Sequence, residues 1–440
     1  MNRAVWKASG HEDTFSDPMV ECMYCKRRYR ADQISRNVPY RAIVDVVFKA
    51  EDGSEGTTPL LVGGASVEDV RQKARIQFRF IAPSATFRSM ALQDGKRDDA
   101  ATSCPFCGGD LSGPRPFNLM FKTHVGATED ESSITYLRPE TAQSIFVQFK
   151  NILEVSRKKL PFGIAQIGKA FRNEINPRNF TFRSREFEQM ELEYFCRPEQ
   201  GMTLLEYWKE ERLKFYQNIG IPREKLHVLT VADEERAFYS KGTYDIEYDF
   251  PFGRQELEGV AYRTDYDLVQ HQKASGKSLE YFDDETKQRF VPHVVEPSAG
   301  VDRTILALIC EAYAEDEAPN DKGEMESRIV LRFHPRMAPI KCAVFPLLKN
   351  KESLVAKAKE IVDLLGPHMF VFYDESGAIG RRYRRQDEIG TPFGVTVDFE
   401  TLGEKDPALR DTVTLRDRDS MKQERMAIEE LVNILTSRIR

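Results

Sequence analysis

The sequence has no apolar run approaching the ~18–20 residues that a membrane-spanning helix needs. Its first thirty residues hold Asp, Glu and Trp and lack the apolar stretch of a secretory signal, so the expected compartment is the cytoplasm. A positive balance is missing too. The 64 Lys and Arg residues face 70 Asp and Glu, and the net charge of −6 argues against a protein that coats nucleic acid in general. A structured RNA partner remains compatible, because phosphate affinity depends on local patches. Cysteine is sparse, and an odd count of seven in 440 residues argues against a disulfide framework. No internal repeat or low-complexity tract occurs.

What is present fits a folded chain of two or three domains, with 41% hydrophobic and 30% charged residues. Between about residues 40 and 92 the texture predicts a small inserted α+β unit. Tyr40 to Phe48 alternates as a strand, Glu51-Asp52-Gly53 supplies a turn, Val67 to Ala74 reads as a helix, and Ile76 to Ile81 alternates as a strand. A polar loop is expected from Gly95 to Thr102. Ile145, Phe149 and Ile152 follow Pro139-Glu140-Thr141 at helical spacing. Ile164 to Arg172 and Phe182 to Phe195 read as two strands of a hairpin, with turn chemistry at Asn176-Pro177-Arg178-Asn179. Met202 to Tyr216 is helical, and Glu315 to Glu326 reads as an acidic connector. After Pro339, strands at Cys342, Met369, Val395 and Thr412 interleave with helices at Ser353 to Leu365 and Met426 to Leu435, the texture of a separate α/β domain.

Three patterns carry chemistry. In a strand, residues four apart share a face, so Arg183, Phe187 and Glu191 would line one surface as cation, aromatic and carboxylate. Such a floor suits phosphate, a base and an amine. Glu296-Pro297-Ser298-Ala299-Gly300-Val301-Asp302-Arg303 runs small residues into a helix start, where backbone and an Arg can meet phosphate. Cys22-Met23-Tyr24-Cys25 and Cys104-Pro105-Phe106-Cys107 put two thiols each on a tight turn, and together suit a tetrahedral structural zinc site. Cys196, Cys310 and Cys342 read as core residues.

Phe171-Arg172-Asn173-Glu174 with Arg183 and Phe187 resembles motif 2 of class II aminoacyl-tRNA synthetases, and Gly300-Val301-Asp302-Arg303 resembles their motif 3. Four further strings resemble the glycyl-tRNA synthetases in particular. They are Arg138-Pro139-Glu140-Thr141-Ala142-Gln143, the run Glu256 to Asp265, Glu296-Pro297-Ser298, and Gly380 to Gly390 with its Arg381-Arg382-x-Arg384-Arg385 cluster. The resemblance covers nearly the whole chain outside about residues 38–100.

That resemblance implies an α+β fold: a class II antiparallel β-sheet catalytic domain flanked by helices (1–337, with a zinc-knuckle region at 20–110), then a C-terminal α/β anticodon-binding domain with a mixed sheet (338–440). It implies an ATP-dependent, AMP-forming glycine–tRNA ligase. Arg172 would hold the ATP α-phosphate, Glu174 the adenine or ribose end, and Arg303 the γ-phosphate of a bent ATP. Phe187 would stack on adenine, and Glu256 would help place Mg²⁺ with Leu257 beside the nucleotide. Asn173, Phe182, Arg183, Arg185, Gly300 and Asp302 complete the implied ATP set.

Glycine offers no side chain to grip. A pocket must exclude a methyl group and hold the ammonium, and several carboxylates do both. Glu140, Glu188, Glu191 and Glu296 are expected there, with Ser298 at the α-carbon and Arg30 or Arg263 at the carboxylate. The implied partners are tRNA-Gly, met by the arginine cluster, and a second copy of the chain in a homodimer. The string Val5 to His11 follows a motif 1 segment in such synthetases, and no counterpart of that interface motif is found in this sequence. Two competing readings are another class II synthetase and a non-catalytic or truncated paralogue acting as an accessory or nucleic-acid-binding protein. The latter should lose the ATP-holding arginines, which are present.

Overall fold

The Asn2 side chain accepts a hydrogen bond from the Ala4 amide and caps α1 (Arg3–Ala8), whose Trp6 is buried against Met120, Ile134 and Tyr136. The structure, a computed structural model, describes residues 1–34, 40–93, 102–237, 239–319 and 324–439. The chain forms two compact units: Met1–Ile152 with Gly168–Glu188 and Asp267–Leu279, and Leu153–Ile167 with Gln189–Tyr266 and Glu280–Arg440.

In the first unit, α2 (His11–Thr14) leads into β1 (Ser16–Glu21) and β2 (Arg28–Arg30). The insert follows as β3 (Tyr40–Lys49), β4 (Glu55–Gly64), α3 (Val67–Ile81) and β5 (Thr86–Leu92). Its sheet has order β4-β3-β5, and α3 packs Val70, Ala74 and Phe78 onto Val44, Val46 and Val62. The strand expected at Ile76 to Ile81 is the second half of this helix. Ser66 caps its start, and the four-residue spacing of the buried positions continues through Phe78, so tertiary packing overrides the local alternation. The polar loop expected from Gly95 falls outside the described residues through residue 101. β6 (Arg115–Asn118) pairs with β1 on the edge opposite β2. β7 (Lys122–His124) and β8 (Ile134–Tyr136) precede α4 (Ala142–Ser156), the helix expected from Ile145, Phe149 and Ile152.

The second unit is built on an antiparallel sheet. The strands of this sheet are β9 (Phe162–Phe171), β10 (Glu186–Cys196), β11 (Leu226–Thr230), β12 (Gly242–Phe250), β13 (Gly253–Thr264) and β16 (His293–Gly300), in the order β11-β12-β13-β16-β10-β9; the end of β9 from Gly168 and the start of β10 through Glu188 belong to the first unit. α5 (Gly201–Asn218) and α7 (Val301–Ala312) flank it, and β14 (Tyr281–Phe282) pairs with β15 (Arg289–Phe290); α6 (Tyr266–Ser275), which follows β13 in sequence, belongs to the first unit from Asp267 onward. The second hairpin strand starts at Glu186 and not at Phe182, because Asn179 and Phe180 turn left-handed and Arg178 bridges to Arg183 first. The acidic stretch at Glu315 to Glu326 is no plain connector: β17 (Tyr313–Pro319) and β18 (Met325–Leu331) pair as a hairpin.

The C-terminal part has a mixed sheet of order β20-β19-β21-β22-β23. β19 (Cys342–Pro346) is parallel to β20 (Val371–Tyr373) and β21 (Phe393–Val397), while β22 (Thr412–Asp417) and β23 (Gln423–Ala427) are antiparallel. α8 (Glu352–Leu365) and α10 (Leu431–Ile439) bury Leu354, Ile361 and Leu435 against Val344, Val395 and Leu415; α9 (Ile379–Ile389) lies between β20 and β21 in sequence. Met426, expected in the last helix, pairs with Val413 in an edge strand instead. Arg328 of β18 is buried and holds Asp387 of α9 at 2.9 Å, and Arg416 meets the same carboxylate at 2.8 Å. No helix among the described residues is long and apolar enough to cross a membrane.

Candidate active site and metal centre

In the first unit, β9 ends at Phe171 and the chain turns so that the Arg172 amide donates to the Arg185 carbonyl at 2.9 Å. The Arg172 side chain donates through Nε to the Pro139 carbonyl at 3.1 Å. Its guanidinium lies over the rings of Phe15 and Phe187, 5.5 and 5.4 Å from their centroids. Asn173 donates its amide to Leu119, and Phe182 is buried. Glu174 is buried too, with Arg183 Nη1 at 3.9 Å from its carboxylate and Arg185 Nε donating to its carbonyl at 3.2 Å. The motif 2 residues thus cluster, but Arg183 belongs to the turn and not to the row that β10 presents. Arg30 pairs with Asp17 at 2.6 Å and Asp32 at 2.8 Å. Burial pushes the Asp17 carboxyl up despite Arg30, and Glu174 and Asp32 add repulsion.

Glu140 sits at the head of α4 in a buried polar network. His11 Nε2 is 3.2 Å from one of its oxygens, and Gln143 Nε2 donates to the other at 3.1 Å and to Asp267 at 2.7 Å. Ser9 Oγ lies 2.9 Å from His11 Nδ1 and 3.2 Å from the Trp6 carbonyl oxygen. The His11 ring also packs against Phe15 at 5.5 Å. One short segment therefore supports both the Glu140 carboxylate and, through Phe15, the Arg172 guanidinium.

In the second unit, sheet register does the aligning. Glu191 pairs with Ser298, Ser298 with Gly259, and Gly259 with Asp245, across β10, β16, β13 and β12. Directly paired residues share a face. The row therefore reads carboxylate, hydroxyl, bare backbone, carboxylate. Ser298 Oγ donates to Glu191 at 2.9 Å, and Gln189 Nε2 reaches both Glu191 (2.5 Å) and Ser298 (3.0 Å). Glu296 lies two residues along β16 on the same face and pairs with Arg263, a side chain only 1% exposed that stacks under the Tyr239 ring at 4.0 Å. Arg263 is thus committed to Glu296, and Arg30 to its aspartates. Glu188 is exposed and projects from the opposite face of β10 to Glu191, because an odd residue separation reverses the pleat. It does not join the row.

A β-bulge at Leu257 shifts the β12–β13 register, so Glu256 pairs with Glu247 and turns toward the face that carries Asp245. Leu257 itself is buried. Arg303, in the first turn of α7, donates to the Glu256 carbonyl at 2.9 Å and lies 3.5 Å from its carboxylate. Gly300 caps α7 with extended backbone, and Asp302 stands in its first turn.

Burial, with Glu256 and then Glu247 adding repulsion against the pull of Arg303, pushes Asp245 up to about 7. A carboxyl raised in the folded state keeps a proton that the unfolded chain has lost, so stability falls as pH rises from about 4 to about 7. The full shift corresponds to ~4 kcal/mol, and partial solvent access reduces the expected effect to ~2 kcal/mol. Asp245→Asn should unfold at higher denaturant than wild type at pH 8 and at the same denaturant at pH 4. An equal difference at both values would refute this.

All four thiols of Cys22, Cys25, Cys104 and Cys107 are buried, with every sulfur within 4.8 Å of the others. Cys22 and Cys107 lie 3.4 Å apart, and Cys25 and Cys104 3.6 Å. Four ligands at ~2.3 Å from a central zinc would stand ~3.8 Å apart, so the set fits a tetrahedral ion. The Cys107 thiol, joined by the Tyr29 hydroxyl at 3.4 Å, holds the Cys104 thiol below the usual thiol range. Gly108 has φ +69°, and a Cβ on it would meet the Gly63 carbonyl at 2.5 Å. The second knuckle is thereby seated on β4 of the insert.

Sequence reasoning missed Gln189, Asp245, Gly259 and His11 as neighbours of the expected residues. The period of two from Phe187 and Glu191 points at Gln189. Asp245 carried no signal, because its place depends on which strand lies beside β13. In the arginine cluster, Arg382 is buried and donates to the Pro346 and Gly377 carbonyls, and Arg385 pairs with Asp374 at 2.5 Å. The cluster is therefore no continuous basic surface, and Arg381 and Arg385 are its exposed members.

Residues 121–313 match the family described as tRNA synthetase class II core domain (G, H, P, S and T), and residues 341–438 match the anticodon binding domain family. Among curated proteins, the chain is 46% identical to a glycine–tRNA ligase of Rhodopirellula baltica, covering all of this chain and 85% of that protein. It is 46% identical to the Thermobifida fusca glycine–tRNA ligase (99% of this chain, 84% of that one) and 47% identical to that of Thermus thermophilus (100% and 86%). With the class II core, the anticodon-binding domain and this identity over its whole length, the chain belongs to the glycine–tRNA ligases.

Proposed function

We propose that Arg172, Arg303 and Glu256 act on ATP while Glu140, Glu191, Glu296 and Ser298 hold glycine, so that the chain makes glycyl-adenylate and transfers glycine to the 3′ end of tRNA-Gly. The hydrogen-bonded group of Gln189, Glu191 and Ser298, on the face that also carries Glu296, supports this reading most. Two carboxylates and a hydroxyl there suit a small ammonium and offer nothing to grip a side chain.

In the first step a glycine carboxylate oxygen attacks the ATP α-phosphorus and the bond to pyrophosphate breaks. Arg172 spreads the charge that builds on the α-phosphate, and Arg303 holds the far phosphates. Positioning and cation clamps suffice for such a displacement. Glu256 would hold Mg²⁺, which supplies further positive charge to the phosphates when bound. In the second step a ribose hydroxyl of the tRNA attacks the glycyl carbonyl and AMP leaves. The four cysteines would hold a structural Zn²⁺ that ties the segments at Cys22 and Cys104 together. Residues 1–337 would form the catalytic domain and 338–440 the anticodon-binding domain, with a second copy of the chain as protein partner and the cytoplasm as compartment.

Glycine-dependent exchange of pyrophosphate into ATP tests the reading directly. Purified protein should exchange with glycine and not with alanine or serine. Exchange with no amino acid favours an accessory protein, and preference for another amino acid favours a different class II ligase.

A further inference from the structure

We infer that Gly259 is a substrate slot: a gap in the side-chain row of the sheet that seats the carboxylate end of glycine. The inference rests on the assignment of Glu191 and Ser298 to glycine, and it adds a residue that sets how the amino acid reaches the phosphate.

Glycine inside a strand weakens it and needs a reason. Two ordinary reasons are a left-handed backbone and a close neighbour. Neither applies here. Gly259 has no positive φ, and a Cβ built on it meets only Asp245 Oδ1, at 3.8 Å, an ordinary contact. Elsewhere in the same sheet the close-neighbour reason does hold: a Cβ on Gly163 would meet Leu192 at 2.6 Å. The flanking positions Leu257, Glu258, Val260 and Ala261 are buried, whereas Gly259 is partly open. The protein has room for a methyl group and leaves it empty.

The register says what the room faces. Gly259 pairs with Ser298, and Ser298 with Glu191, so the three positions form one row across β13, β16 and β10. Adjacent strands lie ~4.8 Å apart. An ammonium held by Glu191 and Ser298 puts the other end of so short an amino acid about one strand further along, over Gly259. A methyl group there would occupy the volume that the carboxylate needs as it turns toward phosphorus. The slot complements the carboxylates, which select the amine but do not fix where the acid lies.

The test is Gly259→Ala in the full chain, measured by pyrophosphate exchange and by thermal melting. kcat/KM for glycine should fall at least ~10-fold, as expected when one methyl group intrudes on a fitted site. KM for ATP should stay within about twofold. The melting temperature should equal or exceed that of wild type, because alanine suits a strand better than glycine. Unchanged glycine kinetics overturn the inference, as does a rise confined to the KM for ATP, which would give the slot to the nucleotide. A lower melting temperature also overturns it, since the fold itself would then require glycine. Lack of exchange in the wild type defeats the glycine reading alone, and the melting comparison still decides whether packing demands Gly259.

Discussion

Arg172→Ala is expected to lower glycine-dependent pyrophosphate exchange by at least ~10²–10³-fold, the range seen when one donor to a developing charge is removed. The expectation rests on how firmly the group is aimed. Nε is spent on the Pro139 carbonyl, the two rings of Phe15 and Phe187 hold the guanidinium plane, and the backbone is locked to Arg185. The terminal nitrogens would then meet the phosphate. Removing the side chain forfeits one hydrogen bond to a carbonyl, worth ~1 kcal/mol, so the melting temperature should move by only a few degrees. Arg172→Lys should restore little, because an ammonium neither sits flat between two rings nor forks onto phosphate. Exchange at the wild-type rate in the alanine variant would sink the assignment of Arg172 to the α-phosphate.

The contrast between Arg172 and Arg183 shows what the sequence carried. Both lie in the motif 2 string, and alternation placed Arg183 on the strand with Phe187 and Glu191. The left-handed turn at Asn179 and Phe180 takes it out of the strand, and no hydrophobic period encodes such a turn. Glu188 went astray for a related reason. The resemblance groups Glu188 with Glu191, but a one-residue difference in pleat decides which face it serves. Residues named by long strings, such as Glu191, Ser298, Glu296 and Arg263, do meet, since the register of β10, β16 and β13 is set by the strands that contain them. Asp245 and Gly259 come together only through the pairing of β12 with β13. The insert was legible at β3 and at the start of α3, while β4 and β5, with one face exposed and rich in Thr, Gly and Ser, gave weak patterns.

Removing metal should have the largest effect on the fold itself. The knuckles join chain segments 79 and 85 residues apart through contacts between cysteine sulfurs, backed by backbone hydrogen bonds such as Met23 N–H to the Asp110 carbonyl. Four buried thiols without a central cation would have to share protons in a space that fits one tetrahedral ion. Structural zinc in small modules contributes ~10–16 kcal/mol of binding free energy that is also folding free energy. A part of that, several kcal/mol, should therefore be lost from the region around β1, β2 and the insert when a chelator strips the ion or when Cys104→Ser removes a ligand. Elemental analysis should find one zinc per chain in the native protein and none in the variant. Proteolysis should then open the segment between Cys25 and Cys104, because the Gly108 turn that seats on Gly63 depends on the closed knuckle. Activity should fall as well. β1 carries Asp17 and β2 carries Arg30, the pair beside Glu174, and both strands run directly into the first knuckle. Native protein that holds no zinc, and that melts at the same temperature before and after chelation, would show instead that the four thiols pack as reduced core residues.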